Sequence, residues 1–186
     1  MKNIDSIGHV RGESVYLDDI TELRGTLHWV IFDSSCAHGI ITSIDYSQAE
    51  KLSGVVKIIT RNDIPGKNQI GGIIPDEPLL AENEIHFCGQ PIAIIIAESQ
   101  KIAAKARKLI TINVDELPVI VDPREAKALN KLIMPPRTLK SGDTKNNWKN
   151  CEYIFEGTAN TNGQEHVYIE TQGAYALPME NNGIRL

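Results

Sequence analysis

The sequence is short of several features that would each define a class of protein. Aromatic residues make up only 5% of its 186 residues, so we expect a core built mainly of isoleucine, valine, leucine and alanine. Its three cysteines are odd in number and widely spaced, which argues against a disulfide framework and against a zinc knuckle. No run of about 18 apolar residues occurs, which argues against a membrane-spanning helix.

Basic residues are fewer than acidic ones, with 19 Lys and Arg against 24 Asp and Glu. The formal net charge of −5 argues against binding to nucleic acid or to an anionic membrane through bulk charge. The first residues, MKNIDSIGHVRGESV, contain no apolar segment of the kind that a secretory signal needs. We therefore predict a cytoplasmic protein with a chain long enough to bury a hydrophobic core.

Residues 85–118 contain the most regular pattern. The run PIAIIIA at 91–97 is continuously apolar, which predicts a strand buried on both faces. Ser99 is placed to cap a helix whose apolar residues recur at helical spacing, and alternation at 110–116 predicts a half-buried strand. This strand–helix–strand unit has the length of a βαβ motif, but its first turn lacks the glycines of a phosphate-binding loop.

Shorter elements precede and follow this unit. Runs rich in apolar residues predict strands at 27–32, 40–45 and 55–60. The first two are expected to pair as a hairpin or meander. Short helices are predicted at 46–52 and 124–129, the second with Asp122 as its cap and Pro123 at its first position.

The composition changes after the second short helix. Proline, glycine, serine and asparagine are frequent at 131–150, which predicts a linker. Segments 153–159 and 165–177 predict a short β-ribbon, since the second contains the alternating EHVYIET. We expect an α+β fold in three parts: a domain at 1–130, a linker at 131–150 and a second β-segment at 151–186. The sequence stops as another strand begins, so we expect the last part to be truncated.

The loop at 69–78 is unusually apolar for its glycine and proline content. It contains Ile70, Ile73 and Ile74 and is predicted to pack against another part of the protein or another subunit. Without that cover, the exposed apolar surface of this loop and of 165–177 is expected to cause self-association.

One candidate catalytic group lies in the loop after the first strand. Ser34, Ser35 and Cys36 precede His38, an arrangement that suggests a nucleophile and a base. No G-x-S-x-G elbow is present, and no carboxylate partner is evident. A small hydrolase that uses Ser35 or Cys36 with His38 is therefore an alternative without a complete set of catalytic groups.

Other candidate groups have ordinary structural interpretations. Glu165, His166 and Glu170 form an acid–base cluster in sequence, but neighbouring strand residues point to opposite faces, so packing or hydrogen bonding in a sheet is favoured over a cavity lining. The pair Asp18-Asp19 could hold a metal, although turn and cap roles are commoner. The five histidines show no metal-ligand spacing, and Gln90 is expected to satisfy loose backbone groups.

A series of short motifs then suggests a family. In order they are GESVYLDD at 12–19, AHG at 37–39, GVV at 54–56, DIPGKN at 63–68, DEP at 76–78, GQPIA at 89–93, ELPVI at 116–120, SGD at 141–143 and GQEHVYIET at 163–171. This order resembles the large, molybdenum-cofactor-binding subunit of the xanthine dehydrogenase/aldehyde oxidase family. Two motifs depart from the family pattern: this chain has SCAHG at 35–39 where the family often has PHAHA, and SGV at 53–55 where the family usually has PGV. We expect both changes to affect only local turns.

The resemblance implies an α/β hammerhead domain, with a mixed sheet and two or three helices, over residues like 12–130. It implies that a molybdopterin-binding domain begins near Gly163. The family hydroxylates a purine or aldehyde carbon with oxygen from water, and electrons leave through 2Fe–2S clusters to FAD. No catalytic, cofactor-binding or metal-binding residue carries over to this chain, because the family's catalytic glutamate, glycine-rich segment and cofactor-contacting glutamines lie further along such chains.

Two functions are consistent with these observations. The first is an N-terminal fragment of a xanthine dehydrogenase-like large subunit, which acts as scaffold and is inactive alone. Its expected partners are the rest of that subunit, FAD-binding and 2Fe–2S subunits and, in the full enzyme, a purine or aldehyde substrate and molybdopterin; an oligomer is expected. The alternative is a stand-alone, non-catalytic interaction module with the same fold.

Overall fold

The computed structural model describes residues 5–167, 170 and 172–186. These residues form two compact units. Leu23–Met134 form the first, and Pro135–Leu186 form the second together with the N-terminal residues up to Glu22. The domain boundaries proposed from sequence, at 130 and 150, stay predictions.

Strand β5, Pro91–Ala97, lies at the centre of the first unit. It pairs antiparallel with β1, His28–Asp33, along one edge and with β3, Val55–Ile59, along the other. Ile92, Ala93, Ile95 and Ala97 of β5 are all buried. Since buried residues occur at both odd and even positions, the strand is covered on both faces. The sequence-based prediction for 91–97 is therefore confirmed.

A second three-stranded sheet is built around β2, Gly39–Asp45. It lies between β4, Glu84–Ile85, and β6, Thr111–Glu116, and both pairings are antiparallel. The expected hairpin of β1 with β2 is wrong, because these strands belong to different sheets. The βαβ interpretation of residues 85–118 is wrong for the same reason.

Alternation and run length report which faces of a strand are buried, and they do not report its partners. The continuously apolar β5 needs a neighbour on each edge, and β1 and β3 fill those places. Strands β2 and β6 then pair with each other. Two antiparallel sheets therefore replace the single mixed sheet implied by the resemblance, while the α+β class is confirmed.

Short helices cover these sheets through small side chains. In α3, Gln100–Arg107, Ala103 and Ala106 are fully buried, so the helix approaches the strands closely. The predicted cap is confirmed, since Ser99 Oγ accepts a hydrogen bond from the Ile102 amide at 3.3 Å. Ala49 of α2, Ser47–Glu50, is also fully buried.

Helix α4, Pro123–Ala128, begins as predicted. Asp122 Oδ1 accepts hydrogen bonds from the amides of Arg124 at 2.7 Å and Glu125 at 3.4 Å. Proline at the first helical position loses nothing there, because that amide has no partner within the helix. The cap by Asp122 and the proline at the first helical position thus depend only on residues next to each other in the sequence.

Gly39, the first residue of β2, lies opposite Glu116, the last residue of β6. A Cβ atom at this position would lie 2.5 Å from Val114 Cγ1 and 2.9 Å from the Asp115 carbonyl oxygen. Real Cβ atoms do not approach other atoms this closely, so an alanine here would require the Val114 side chain and the Asp115 backbone to shift. Gly39 thus has a packing role at the start of β2 in addition to its place in the turn, and the expectation that the departure at 35–39 is local stays a prediction.

The second unit contains short elements. They are α1, Asp5–Arg11; α5, Thr144–Asn147; and the two-stranded pair β7, Leu177–Pro178, with β8, Ile184–Arg185. The amide of Leu17 donates to Glu170 Oε1 at 2.5 Å. A Cβ atom on Gly173 would lie 2.5 Å from Leu17 Cδ2, so glycine lets this segment approach the Leu17 side chain. Leu17 in the N-terminal turn therefore lies against both Glu170 and Gly173.

The ribbon predicted at 153–159 and 165–177 is wrong for most of the described residues. No strand occurs among those of 151–176, and the ribbon that forms is β7 with β8. Tyr168, Ile169 and Thr171, in the alternating segment, lie outside the described residues. Alternation alone does not make a strand, since the backbone groups also need a partner strand. The predicted linker at 131–150 contains α5, which Asp143 caps.

Within the described part of the chain, no helix is long and apolar enough to cross a bilayer.

A truncation in β5 tests its place in the core. Ile95→Ala is expected to lower the free energy of unfolding by about 2–5 kcal/mol, because the side chain is fully buried. Urea denaturation followed by circular dichroism measures the change. Ile73→Ala is the matched control: that side chain is 96% exposed, so its effect should stay within about 0.5 kcal/mol. Equal losses from the two variants would contradict a core centred on β5.

Candidate functional site

The loop between β1 and β2 is closed by its own polar side chains. The hydroxyl of the buried Ser34 donates to the Cys36 carbonyl at 2.7 Å and accepts from the Cys36 amide at 3.0 Å. Cys36 Sγ donates to the His38 carbonyl at 3.2 Å. Such local bonds stabilise a turn, so the serine and cysteine have structural roles here.

His38 connects three segments at one end of the second sheet. Its Nδ1 lies 2.8 Å from the Pro118 carbonyl oxygen, and its Nε2 lies 3.0 Å from Glu84 Oε1. Glu84 belongs to β4 and Pro118 follows β6, while His38 directly precedes β2. The His38 carbonyl also accepts from the Leu117 amide at 3.0 Å. One residue thus holds the ends of both neighbouring strands.

The surroundings of His38 favour its charged form. The hydrogen bond to Pro118, and next the one to Glu84, raise the pKa of His38 above its ordinary value of 6.5. Desolvation and the positive charge of Lys131 act in the opposite direction. A second histidine, His86, places Nδ1 3.9 Å from the same Glu84 oxygen. Glu84 therefore has one close imidazole partner and one at the limit of an ion pair.

This geometry does not support the hydrolase alternative. Both ring nitrogens of His38 are occupied by Pro118 and Glu84, and the hydroxyl of Ser34 is used within its turn. Among the described residues, no hydrogen bond joins a serine or cysteine side chain to the His38 ring. Glu84 escaped the sequence-based search because it lies 46 positions from His38, and only strand pairing brings the two together.

Gln90 has the role expected of it. Its side chain is only 2% exposed, and its Oε1 accepts from the His86 amide at 2.7 Å. Its own carbonyl accepts from the Ser34 amide at 2.9 Å. The prediction that this amide satisfies backbone groups is confirmed, and Gln90 is a structural residue of the turn before β5.

The remaining acidic candidates are not gathered into a site. Asp19 Oδ2 accepts from the Tyr16 amide at 2.9 Å, so a turn role is confirmed for this residue. The exposed Glu165 accepts from the His166 amide at 3.0 Å. Tyr168, which lies between His166 and Glu170 in the sequence, is outside the described residues. In the residues that the structure describes, no group of three or more metal-type ligands occurs.

Asp63 of the DIPGKN motif closes a charged turn after β3. Its Oδ1 lies 2.8 Å from Lys57 Nζ, and its Oδ2 accepts from the Thr60 amide at 2.9 Å and hydroxyl at 3.1 Å. The hydrogen bond from Lys57, followed by those from Thr60, lowers the pKa of Asp63 to about 2. These residues border a depression of about 480 Å³ along the open edge of β3. The turn is thus held by charge at neutral pH.

The lowered pKa of Asp63 makes a prediction about acid stability. An ordinary aspartate has a pKa of 3.8, so the native carboxylate contributes stability above about pH 4 that is lost as the pH falls towards 2. Asp63→Asn should flatten this part of a curve of unfolding free energy against pH. The same change at the exposed Asp18 is the control and should leave the slope as in the unmodified chain. A slope unaffected by Asp63→Asn would contradict the ion pair.

The loop at 69–78 leaves its isoleucines uncovered. Ile73 is 96% exposed, and Ile70 and Ile74 are also exposed. Large apolar side chains in one short loop form a patch of the kind found at protein interfaces. We call Ile70, Ile73 and Ile74 the isoleucine patch.

The second unit provides little enclosed surface. Every described residue of 135–186 is exposed, apart from the half-buried Tyr175 and Leu177. Thr161, Asn162, Gly163 and Gln164 line an open depression of about 640 Å³. Cofactor sites bury most of their ligand and place a few polar groups around it. The described residues of this unit do not by themselves fit a pterin cofactor.

Comparison with known families agrees with the fold. Residues 11–118 match the model described as aldehyde oxidase and xanthine dehydrogenase, a/b hammerhead domain, and residues 125–186 match a molybdopterin cofactor-binding domain. The two sheets and their covering helices are thus those of a hammerhead domain in a molybdopterin-type protein. The chain belongs to the aldehyde oxidase and xanthine dehydrogenase family, a family of oxidoreductases.

Two similar proteins show how much of a relative the chain represents. It is 36% identical to xanthine dehydrogenase/oxidase of Gallus gallus, covering 92% of this chain and 13% of that protein. It is 32% identical to a probable xanthine dehydrogenase subunit of Bacillus subtilis, covering 98% of this chain and 25% of that protein. The chain therefore spans a quarter or less of the length of these relatives.

Solved structures show the same likeness. The aldehyde oxidoreductase of Desulfovibrio desulfuricans aligns with a TM-score of 0.62 and 29% identity, covering 67% of this chain and 15% of that chain. The CO dehydrogenase of Oligotropha carboxidovorans aligns with a TM-score of 0.57 and 32% identity, covering 68% and 16%. The family expectation from the motif series is therefore confirmed.

Proposed function

We propose that the chain is a scaffold and interface portion of a xanthine dehydrogenase-like molybdenum hydroxylase. The observation that carries this proposal is the order of the two domain matches, 11–118 and then 125–186, within one chain. Relatives named xanthine dehydrogenase or aldehyde oxidase support it. The full enzyme would hydroxylate a purine or aldehyde carbon with oxygen derived from water.

In this proposal no residue of the chain is catalytic, cofactor-binding or metal-binding. Two features support this view. The ring of His38 is used in contacts with the Pro118 carbonyl and the Glu84 carboxylate, and the described residues of 135–186 bury no polar side chain. Molybdopterin is the cofactor of the domain family matched at 125–186, and its contacts would come from residues outside this chain.

The partners follow from the same proposal. The remainder of the large subunit would cover the isoleucine patch, which is an apolar surface without cover in this chain. Subunits or domains carrying 2Fe–2S clusters and FAD would remove the electrons, in an oligomer located in the cytoplasm. The acidic net charge of −5 supports assembly with proteins rather than with nucleic acid or a membrane.

A chimera tests the scaffold role. Residues 11–118 would replace the matching segment of the Bacillus subtilis relative, expressed with its partner subunits. We expect the chimera to retain molybdenum and to oxidise xanthine, while the 186-residue chain alone does neither. The control chimera carries Ile95→Asp, which places a charge in a fully buried site and should abolish molybdenum retention.

Two outcomes would contradict this function. One is stoichiometric molybdopterin bound to the isolated chain together with xanthine oxidation. The other is a folded chimera, by circular dichroism, that retains no molybdenum. A stop codon directly after Leu186 in the gene would instead favour the stand-alone interaction module.

The isoleucine patch is expected to cause self-association of the isolated chain. Ile73→Lys should weaken it, because a charge at a 96% exposed position disfavours apolar contact between copies. Sedimentation velocity over a range of concentrations measures the association. Lys67→Arg, in the same region but with charge retained, is the control. A clean monomer of the unmodified chain at high concentration would contradict the prediction.

A further inference from the structure

We propose that His38 is a proton-controlled clamp, which fixes the segment leaving β6 to the beginning of β2 and to β4. The clamp is independent of any catalytic role of the family, since all its contacts lie within the first unit. It would make the anchoring of residues 117–118 depend on pH.

The bonding geometry requires a charged ring. Pro118 offers a carbonyl oxygen, and Glu84 offers a carboxylate oxygen; both groups only accept hydrogen bonds. They lie 2.8 Å from Nδ1 and 3.0 Å from Nε2 of His38. A neutral imidazole carries one N–H and serves only one of them. The two contacts are satisfied together only when both ring nitrogens are protonated.

The charged groups around the ring act in both directions. Glu84 on β4 attracts the imidazolium, and Lys131, which follows α4, repels it. His86 lies 3.9 Å from the Glu84 carboxylate and competes for it when charged. The bonds to Pro118 and Glu84 are the two largest influences, and the pKa of His38 is raised. The local field thus favours the same protonation state as the bonding geometry.

Deprotonation would release the Pro118 contact first. The remaining N–H is held best by the charged acceptor, Glu84, because hydrogen bonds to ions are stronger than neutral ones. The bare Nδ1 lone pair would then face the Pro118 carbonyl oxygen, and two acceptors repel each other. The neighbouring bond from the Leu117 amide to the His38 carbonyl would lose its support.

The direction of the pH effect follows from the raised pKa. The stabilisation by the clamp is fully present below the ordinary histidine value of 6.5 and is lost as the pH rises through the higher native pKa. The clamp is therefore closed in mildly acid solution and opens as the pH rises past the raised native pKa of His38.

Nuclear magnetic resonance of the ¹⁵N-labelled 186-residue chain tests this directly. Both His38 ring nitrogens should carry protons at low pH, and their shifts should change with a midpoint above 6.5. Amide hydrogen exchange of Leu117, corrected for the intrinsic rate, should lose about tenfold in protection across the same midpoint. A midpoint at or below 6.5 would overturn the proposal, as would Leu117 protection that is constant through the titration.

Two matched variants separate the clamp from a general change in stability. Glu84→Gln keeps an acceptor oxygen and removes the charge, so it should lower the His38 midpoint. His86→Gln removes the more distant imidazole from the same carboxylate and should leave the His38 midpoint above 6.5. An unchanged midpoint in Glu84→Gln would show that the carboxylate does not hold the ring proton and would overturn the clamp.

Discussion

Strand β5 must be paired along both edges and covered on both faces, and the arrangement of the first unit depends on this constraint. Its continuous apolar run is tolerable only away from water, so β1 and β3 occupy its two edges. Helix α3 approaches it because Ala103 and Ala106 add almost no bulk. Strands β2, β4 and β6 form the second sheet beside this centre.

Elements governed by neighbouring residues could be predicted from the sequence. The burial of 91–97, the cap at Ser99 and the start of α4 at Asp122 each depend on residues within one turn or one strand. Strand partners could not be predicted, because antiparallel neighbours such as β1 and β5 are far apart in the chain. The ribbon predicted at 153–159 and 165–177 failed similarly: the alternation in its second segment reports which residues share a face, and no partner strand is available among the described residues.

The candidate site shows the same limit. His38 could be noticed from its motif, but its contacts with Glu84 and Pro118 lie 46 and 80 positions away. The sequence suggested a nucleophile and base, whereas the folded chain uses these side chains to join strand ends. The packing role of Gly39 became evident only from its neighbours Val114 and Asp115 on the adjacent strand. The family could be recognised from the sequence because the order of its short motifs can be read without knowing which residues are in contact.

The hydrogen bond between Leu17 and Glu170 has a consequence for how the chain folds. It joins residues 153 positions apart, and the unit it belongs to is interrupted by Leu23–Met134. Closing so long a flexible loop carries a large entropic penalty and is slow. Once the interrupting unit has folded, its residues no longer belong to the flexible loop that must close. The unit with the two three-stranded sheets, Leu23–Met134, is thus inserted in sequence between the two parts of the other unit. We expect it to fold before those two parts come together.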